Sequence, residues 1–578
     1  MTSFARASAA ALAAVACALL AGETATAQST ALRLPAGVIP PPSLSHATSE
    51  YFKNHPKAWS NFVAKLPRLN APARLARRFV ATVGGTWTVA TNAPAGTNFC
   101  SPHLLHNGIV IVQVCLTGNW YRLKPTKTGS YINGTWAPIA SMPVIDGTQY
   151  GPLYYASGVL PDGRFIAIGG EYNLGSSGTA AENYGAIYDP VADTWTPVTK
   201  PAGAGTISDA QSVGLADGTF MLGPCCDYPA TAWLLNASDL TWTQTGAPSA
   251  AGAYQDEQGY ELLPNSKILT VDIWTNYPTA DATNAEQYDP ATGTWGDAGT
   301  VPVSLADPGV CGTYEIGPAV VRGDNRVIAF GGHSNYNPQS NTYGCDPNPD
   351  PTAILNTDTG VWTGGPDIPS VCGAGGTDFC DLADAPAAVL RNGNILFAAS
   401  SGFGDAPTHF FEWALQDNTI SEVSDPVTQF ADRGAYNFNF VVLPNGQILM
   451  TNFGTPEIYA TTGTTVSTWR PTISSAPSTI TRNHTYRIGG RQLNGRSAGA
   501  YYGDDFQSAT NFPLVRIVNN ATGHVFYGRS TEFSTLSIKP TVFSSFKFKV
   551  PSAAETGAST LYVVANGIAS AGSAVTVQ

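Results

Sequence analysis

The chain has 578 residues, with 41 acidic and 29 basic residues and a formal net charge of −12. Only 12% of the residues are charged, while 59 glycines and 42 prolines supply many turn positions. This composition excludes a helical bundle or coiled coil, which would be rich in Lys, Glu and Leu. The acidity excludes nucleic acid as a partner, because phosphates require a basic surface. With 43% apolar residues the chain can bury a large core, so we expect a turn-rich, mainly β protein of more than one domain.

The first 27 residues have the pattern of an export signal. Arg6 precedes an apolar run over 7–22, and a small-residue cleavage pattern, Ala-Thr-Ala, ends at Ala27. The run is short for a membrane span, and no other stretch is apolar enough to cross a bilayer. Lipid attachment at Cys17 is a less favoured alternative. We therefore expect a secreted protein, extracellular or periplasmic, without a transmembrane segment.

Eight cysteines follow the signal, and an even number in an oxidising compartment predicts disulfides. Nearness in sequence favours three pairs and leaves two neighbours for each other: Cys100–Cys115, Cys311–Cys345, Cys372–Cys380 and Cys225–Cys226. Adjacent Cα atoms lie about 3.8 Å apart, below the usual disulfide range. A bridge between neighbours would be strained and typical of a functional loop. The alternative is that the two neighbours pair elsewhere or stay free.

Residues 28–83 form a basic, Pro-containing N-terminal arm. They contain eight basic residues and one acid, whereas 20 basic and 39 acidic residues follow position 83. A helix-compatible stretch runs from Phe52 to Leu69, interrupted by Pro56 and Pro67. We expect the arm either to dock on the acidic body or to stay mobile. A more specific alternative is that it contacts an anionic cell surface.

The middle of the chain repeats one unit: an apolar strand, a tight turn, a second apolar strand and a closing strand with Trp. Clear copies are SGVLPDGRFIAIGG with IYDPVADTWTPV and GPAVVRGDNRVIAFGG with AILNTDTGVWTGG. The Gly-Gly followed by a tyrosine and a tryptophan resembles the Kelch repeat. Such four-stranded units stack radially into a β-propeller. We count seven blades over 84–470, the last ending at Trp469, and expect the strand around Trp87 to help close the ring.

Residues 471–578 change to short strands separated by turns, which predicts an Ig-like β-sandwich. The predicted fold is all-β: a seven-bladed Kelch-type β-propeller followed by this sandwich. A secreted Kelch propeller with such a tail resembles the galactose oxidase and glyoxal oxidase group. The resemblance covers most of 84–578, and its motifs are specific for fold rather than for function.

The repeat register predicts a site at one mouth of the central channel. Counting nine residues back from the seven turn positions (Gly108, Gly163, Gly218, Ser266, Asn325, Gly393 and Gly446) gives equivalent places: Phe99, Tyr154, Asp209, Glu257, Ile316, Asp384 and Asn437. Residues after the second strand share that mouth: Glu171, Cys225, Cys226, Asp272, Trp274 and His333. We take Asp209, Glu257 and Asp384 as candidate catalytic acids. The candidate ligand-binding residues are Tyr154, Glu171, Asp272, Trp274, His333, Tyr436 and Asn437.

Neighbouring carboxylates repel each other, which either raises the pKa of one of them or recruits a cation such as calcium. Both outcomes suit catalysis or metal binding. Aromatic rings beside acids suit sugars, so the leading hypothesis is a protein that binds and processes a carbohydrate or glycoconjugate. The alternative for each acid is a structural role, in which it caps the end of a strand by binding backbone N–H groups or water. A third hypothesis is a non-catalytic scaffold whose loops bind another protein.

The resemblance also implies a copper radical site of two tyrosines, two histidines and a cysteine. Tyr154 and Tyr436 match the tyrosines, and His524 resembles the histidine of the C-terminal domain. Asn437, however, stands where the group has histidine, and Cu(II) prefers imidazole. Cys100 is one residue out of register for the cross-linking cysteine. These two departures argue against copper, although His333 could replace the missing ligand.

Overall fold

The computed structural model describes most of the chain from position 34 onward. The described ranges are 34–41, 51–69, 83–248, 255–274, 282–306, 315–332, 349–372, 380–402, 404–428, 430–503 and 508–578, with residues 32 and 81 and the backbone of strands at 336–337 and 342–343. The predicted export signal, the Cys311–Cys345 pair and His333 lie outside them. No helix within these ranges has the length and apolar character needed to span a bilayer.

Seven antiparallel sheets form the blades of a β-propeller, six with four strands and one, that of blade 6, with a fifth strand from the C-terminal region. From the centre outward, blade 1 has β2 (Phe99–Leu104), β3 (Val110–Val114), β4 (Trp120–Lys124) and β5 (Thr135–Ile139). Blade 2 has β9 (Ala156–Val159), β10 (Phe165–Ile168), β12 (Gly185–Asp189) and β13 (Thr194–Val198). Blade 3 has β14 (Gln211–Gly214), β15 (Phe220–Gly223), β16 (Trp233–Leu235) and β17 (Trp242–Gln244). Blade 4 has β18 (Glu261–Leu262), β19 (Ile268–Asp272), β20 (Asn284–Asp289) and β21 (Thr294–Thr300).

The remaining blades repeat this order. Blade 5 has β22 (Ala319–Arg322), β23 (Arg326–Phe330), β26 (Thr352–Asn356) and β27 (Val361–Gly364). Blade 6 has β28 (Pro386–Val389), β29 (Ile395–Ser400), β30 (Thr408–Trp413) and β31 (Ile420–Glu422). Blade 7 has β32 (Asn439–Val442), β33 (Ile448–Thr451), β34 (Glu457–Ala460) and β1 (Thr86–Val89). Short strand pairs lie between these: β6 (Val144–Ile145) with β7 (Thr148–Gln149), β8 (Pro152–Leu153) with β11 (Tyr172–Asn173), and β24 (Tyr336–Asn337) with β25 (Thr342–Tyr343).

The inner hairpin of every blade turns in the same way, as the repeat pattern predicts. All seven turn residues have positive φ, between 65° and 92°, and five of them are glycine. In each turn that residue's N–H donates to the carbonyl three residues earlier, as Gly108 does to Leu105 at 3.0 Å. Glycine is favoured because only it enters this region without a steric penalty. The common turn places the preceding innermost strands in one register.

The ring is closed by the N-terminal strand, as the sequence predicts. β1 pairs with β34, with Trp87 opposite Tyr459, and the Trp87 indole donates to the Ser424 carbonyl at 2.8 Å. The predicted end of the last blade at Trp469 is wrong. Trp469 lies in a 3-10 turn over 467–469 and packs against Gly323, because β1 already supplies the fourth strand.

The C-terminal strands enclose a second core. They are β35 (Thr472–Ser475), β36 (Thr479–Ile480), β37 (Thr485–Arg491), β38 (Ala500–Tyr502), β39 (Leu514–Asn519), β40 (Val525–Thr531), β41 (Phe543–Lys549), β42 (Gly557–Ala565), β43 (Ile568–Ala569) and β44 (Ser573–Val577). Nine of them join one hydrogen-bonded sheet in which β40 pairs with both β39 and β41. Alternating apolar residues of both halves, such as Ile517 and Phe546, meet in a common core.

The tenth strand, β38, leaves this sheet and enters the propeller. It pairs with β28, the innermost strand of blade 6, with Tyr502 opposite Pro386 and Ala500 opposite Ala388. It also lies beside the innermost strands of blades 5 and 7. The C-terminal region therefore contributes a strand to the central channel, which the sequence pattern did not predict.

Part of the basic arm docks on the propeller. Helix α1 (Pro56–Lys65) begins at Pro56, because proline fits the first helical position, and ends before Pro67. Phe52 and Phe62 are buried in a cluster with Ala383. Of the two expectations for the arm, docking is therefore the one that its described residues show.

Candidate functional site

Three of the predicted site residues share an unusual backbone conformation. Tyr154, Glu257 and Asp384 each stand nine residues before their turn residue, and their φ angles are +52°, +61° and +51°. Left-handed backbone at non-glycine residues costs about 1–3 kcal/mol and is concentrated at functional sites. The three blades thus present their residues to the channel mouth with the same local geometry.

Carboxylates from several blades lie together at the mouth. One carboxylate oxygen from each of Glu257, Glu315 and Asp384 lies within 4.8 Å of the other two, and all three residues are buried. Glu171 is close enough to Asp209, Glu257 and Asp384 for their charges to act on it. Glu315 directly precedes the register position Ile316 in the sequence and is not among the predicted site residues.

Burial and mutual repulsion shift the pKa values of these acids upward. Burial first, and then the charge of Glu257, raise the pKa of Asp209 to about 8. Burial, Asp209 and Glu257 also raise the pKa of Glu171 well above its usual range. At neutral pH the Asp209 carboxyl therefore carries a proton and can donate a hydrogen bond.

Four tyrosines surround these acids. The Tyr154 ring lies 6.1 Å from that of Tyr172 and 6.5 Å from that of Tyr436, both edge to face. Tyr502 stacks on Tyr154 with centroids 6.3 Å apart and planes 8° from parallel. Burial and neighbouring acidic groups raise the pKa of Tyr154 well above its usual value, so its hydroxyl is neutral.

Tyr502 reaches the mouth because β38 extends along the central channel beside the innermost strands. Its hydroxyl donates to the carbonyl of Tyr436 at 2.9 Å. The next residue, Gly503, has φ of +31°, and a Cβ there would lie 2.5 Å from Oδ1 of Asp384. Backbone from the C-terminal region thus packs directly on a carboxylate of the cluster. Sequence reasoning missed Tyr502, Tyr172 and Asp256, and no local pattern indicates that the Tyr502 strand enters the channel.

The arm covers this mouth. The Tyr154 hydroxyl donates to the carbonyl of Pro40 at 3.3 Å, and Ile39 is fully buried among the site tyrosines. Arg433, itself buried, donates to the carbonyl of Arg68 at 3.2 Å. The described part of the arm therefore contacts site residues from outside the channel.

Three sequence-based assignments differ from the structure. Asp272 accepts hydrogen bonds from Asn284 at 2.7 Å and Gln258 at 3.4 Å, and so belongs to the polar interior of blade 4. Trp274 packs in the main propeller core. His524 lies in the turn between β39 and β40, where its Nδ1 meets the Glu555 carboxylate at 2.6 Å. The C-terminal region thus contributes Tyr502, rather than His524, to the mouth.

Asn437 is fully buried in a one-turn 3-10 helix over 435–437. Burial raises the pKa of Tyr436 above its usual value, and the neighbouring Asn437 side chain acts in the opposite direction. The position is next to the site tyrosines, as the register predicts.

Cysteines in the described ranges form two disulfides. Cys225 bonds to its neighbour Cys226, and Cys372 bonds to Cys380. The predicted Cys100–Cys115 bridge is not formed: both residues are buried thiols in hydrogen-bond contact, and burial raises the pKa of Cys115. Sequence nearness identified the pair as neighbours, but not its oxidation state. Cys225 Sγ lies within 4.8 Å of carboxylate oxygens of Asp209 and Asp256, which places the vicinal disulfide at the mouth.

Among the described residues, the donor set does not fit a copper radical centre. Tyr154 and Tyr436 lie together, but the neighbouring group is the amide of Asn437 rather than an imidazole. The other described histidines lie elsewhere: His55 in the arm, His103 and His106 in blade 1, His409 in blade 6, and His484 and His524 in the C-terminal region. Cu(II) binds imidazole in preference to carboxamide and phenol alone.

Comparison with known proteins gives distant structural similarity only. No family model matches the sequence, and no curated protein matches it. A fungal alcohol oxidase of the AA5 family, solved in complex with copper, is 12% identical, with a TM-score of 0.43 over 88% of this chain and 99% of that one. A streptogramin B lyase is 12% identical, with a TM-score of 0.41 over 66% of this chain and 98% of that one.

Proposed function

We propose that the protein binds a carbohydrate or glycoconjugate at the acidic, tyrosine-lined mouth of its propeller. The observation that carries the proposal is the cluster of Glu171, Asp209, Glu257 and Asp384 beside a group of four tyrosines. In the structure these rings are buried beneath the arm, so binding requires the arm to leave the mouth. Tyrosine rings then offer flat apolar faces for sugar C–H groups, and carboxylates accept hydrogen bonds from hydroxyls.

The same cluster supplies an acid and a base. Burial, and then the charge of Glu257 beside it, raise the pKa of Asp209 to about 8, so Asp209 is protonated near neutral pH. Pairs of carboxyls whose pKa values are pushed apart are the arrangement used to protonate a leaving oxygen while a second group acts as base or nucleophile. We therefore assign Asp209 as proton donor, with Glu257 and Asp384 as candidate partners.

A divalent cation such as calcium is the candidate cofactor. Glu257, Glu315 and Asp384 bring three carboxylate oxygens within 4.8 Å of one another, and calcium prefers hard oxygen ligands. A bound cation would offset their repulsion and could orient sugar hydroxyls. A copper oxidase has less support, because an amide occupies the place of an imidazole ligand.

The same proposal includes the type of blade, the type of C-terminal domain and the cellular compartment. We assign the blades to the Kelch type because the outer Trp follows the same pairing, Tyr188 opposite Trp195 and Tyr288 opposite Trp295. We assign the C-terminal region to the Ig-like sandwiches and the protein to an extracytoplasmic compartment. The two disulfides among the described residues support that compartment, since such bonds persist where the environment is oxidising.

The test is glycan binding by the full chain, with and without calcium. Asp209→Asn and Asp384→Asn should each weaken binding of the best glycan from an array at least tenfold, measured by calorimetry. Asp146→Asn is the matched control, because Asp146 is exposed in the β6–β7 turn and has the positive φ that asparagine tolerates.

Equal binding by all three variants, or no glycan bound by the unaltered chain, would contradict the proposal. Calcium is tested separately by titration of the metal-free protein. Binding of calcium should be lost in Glu315→Gln and retained in Asp146→Asn. If the unaltered protein binds no calcium, the cation is excluded as a cofactor, but the glycan proposal is not.

A further inference from the structure

A second, oppositely charged cavity lies at the other end of the propeller. It has a volume of about 370 Å³ and is formed by turns of blades 6 and 7 together with the C-terminal sheet. Its volume falls in the range of about 300–1,000 Å³ that is typical of ligand sites. It is independent of the acidic mouth described above.

Three arginines line this cavity, and none of its described lining residues is acidic. Arg391 comes from the inner turn of blade 6, Arg470 from the segment after blade 7, and Arg516 from β39. The chain after position 83 has 39 acidic and 20 basic residues. The cavity therefore has the opposite charge to the body around it, and three like charges around one cavity repel each other unless an anion is present.

None of the three arginines is neutralised within the described part of the chain. The ion pairs formed there involve other residues. Arg391 donates only to the Thr465 hydroxyl and the Thr461 carbonyl, each at 3.3 Å. Arg470 donates to the Ala569 carbonyl at 3.2 Å. These long bonds to neutral oxygens leave guanidinium N–H groups for a ligand.

Arg516 is held in place by aromatic rings. Its guanidinium carbon lies 4.6 Å from the centroid of the Tyr562 ring, and the Tyr527 hydroxyl contacts it from the other neighbouring strand. Its Nε is buried and has no hydrogen-bond partner among the described residues. A stacked guanidinium has already lost most of its rotational freedom, so little further ordering is needed to bind an oxyanion.

The cavity wall depends on close backbone contact between the two regions. Gly446 of the blade 7 turn and Gly567 of the β42–β43 hairpin both line or border the cavity with positive φ, +82° and +69°. A Cβ on Gly567 would lie 2.6 Å from the Gly446 Cα. Contact this close fixes the distance between Arg391 on one side and Arg516 on the other.

We propose that this cavity binds an oxyanion, a phosphate or sulfate group, between Arg391, Arg470 and Arg516. Guanidinium groups match the geometry of such oxygens with paired N–H donors. The anion could be a free inorganic ion or the ester group of a small sugar, and binding would hold the C-terminal sheet against blades 6 and 7.

The test is the affinity of the full chain for inorganic phosphate at constant ionic strength, measured by calorimetry and by the phosphate-dependent shift in melting temperature. Arg391→Gln and Arg516→Gln should each weaken phosphate binding about tenfold or more. Arg487→Gln is the matched control, because Arg487 is an exposed strand arginine outside the cavity. Asp209→Asn should leave phosphate binding unchanged, which separates this site from the proposed function.

The source of the anion is resolved by comparing phosphate and sulfate with glucose 6-phosphate and glucose 6-sulfate. Tighter binding of either ester identifies a sugar ester as the ligand class, and tighter binding of the ions identifies a free ion. A second measurement needs no variant: phosphate should slow phenylglyoxal modification of Arg391 and Arg516 but not of Arg487. Absence of binding in the unaltered chain, equal binding by the glutamine variants, or equal protection of Arg487 would overturn the proposal.

Discussion

Tyr502 and Tyr154 stack face to face at the channel mouth, with centroids 6.3 Å apart, although 348 positions separate them in the sequence. Tyr154 comes from blade 2 and Tyr502 from the strand that the C-terminal region inserts into the channel. The contact joins both regions of the protein at the candidate site. Its loss should therefore affect stability and ligand binding together.

Replacing Tyr502 by phenylalanine should keep the stack and remove the hydrogen bond to the Tyr436 carbonyl. We expect a loss of roughly 0.5–1.5 kcal/mol in the free energy of unfolding, measured with urea. Tyr502→Ala should cost about 3–5 kcal/mol, because it leaves a cavity in the channel. Tyr228→Phe, on a residue with 55% of its surface exposed, is the control and should change little. Equal stability of Tyr502→Ala and the control would contradict the stacking role.

Deletion of residues 28–69 should open the mouth. The Tyr154 hydroxyl then loses its Pro40 acceptor, and Ile39 no longer covers the site tyrosines. We expect Tyr154 to react with N-acetylimidazole many times faster in the deleted chain, as measured by peptide mass mapping. Tyr131, which is fully buried and donates to the Gly108 carbonyl, is the internal control. Unchanged reactivity of Tyr154 would mean that the arm does not limit access.

Stability should fall as pH rises through the titration range of Asp209. Its pKa is about 8 in the folded protein against an ordinary value of 3.8. Between these values the folded state keeps a proton that the unfolded state has released, so increasing pH favours unfolding. Above pH 8 the carboxyl is ionised in both states and the slope disappears.

Asp209→Asn should flatten this dependence, because the amide does not titrate. The comparison is the urea midpoint at pH 5 and pH 8 for the unaltered chain, Asp209→Asn and Asp146→Asn. Only Asp209→Asn should reduce the difference between the two pH values. The same difference in all three proteins would show that Asp209 is not the titrating group.

His106 should make the contact between the propeller and the C-terminal sheet sensitive to acid. Its ring packs against Phe512 and Phe533, and burial, with the charge of Arg529, lowers its pKa to about 3. Between pH 6.5 and 3 the unfolded state gains a proton that the folded state does not, so stability falls as pH falls through this range. His106→Phe should weaken the dependence and His484→Phe, on an exposed turn residue, should not. Thermal unfolding at pH 7 and 4.5 provides the measurement.

Closure of the ring should be sensitive to a single methyl group at Gly85. A Cβ there would meet the Ala460 carbonyl oxygen and the Tyr459 ring, while the Gly85 N–H donates to the Tyr459 hydroxyl at 2.5 Å. We expect Gly85→Ala to destabilise the propeller by about 1–3 kcal/mol. Gly364→Ala is the control, since its Cβ would meet no atom within 4 Å. Equal urea midpoints for the two variants would contradict this account of closure.

The sequence determined the seven blades and those site residues that stand at equivalent positions of the repeat. Turn residues at fixed distances from apolar strands set seven equivalent hairpins, and counting back from Gly163, Ser266 and Gly393 identified Tyr154, Glu257 and Asp384. This succeeds because a repeated hairpin carries its register with it, so equivalent positions meet at one end of the ring. The closing role of the Trp87 strand followed from the same pattern.

Only the tertiary structure decided what fills and covers the channel. Tyr502 lies between strands of another sheet, and nothing local indicates that its strand leaves that sheet to pair with β28. The cavity lined by Arg391 and Arg516 likewise forms from residues 125 positions apart. Local periodicity determines hairpins because their contacts are near in sequence. The remaining contacts join segments distant in sequence, and the packing of the two regions against each other decides them.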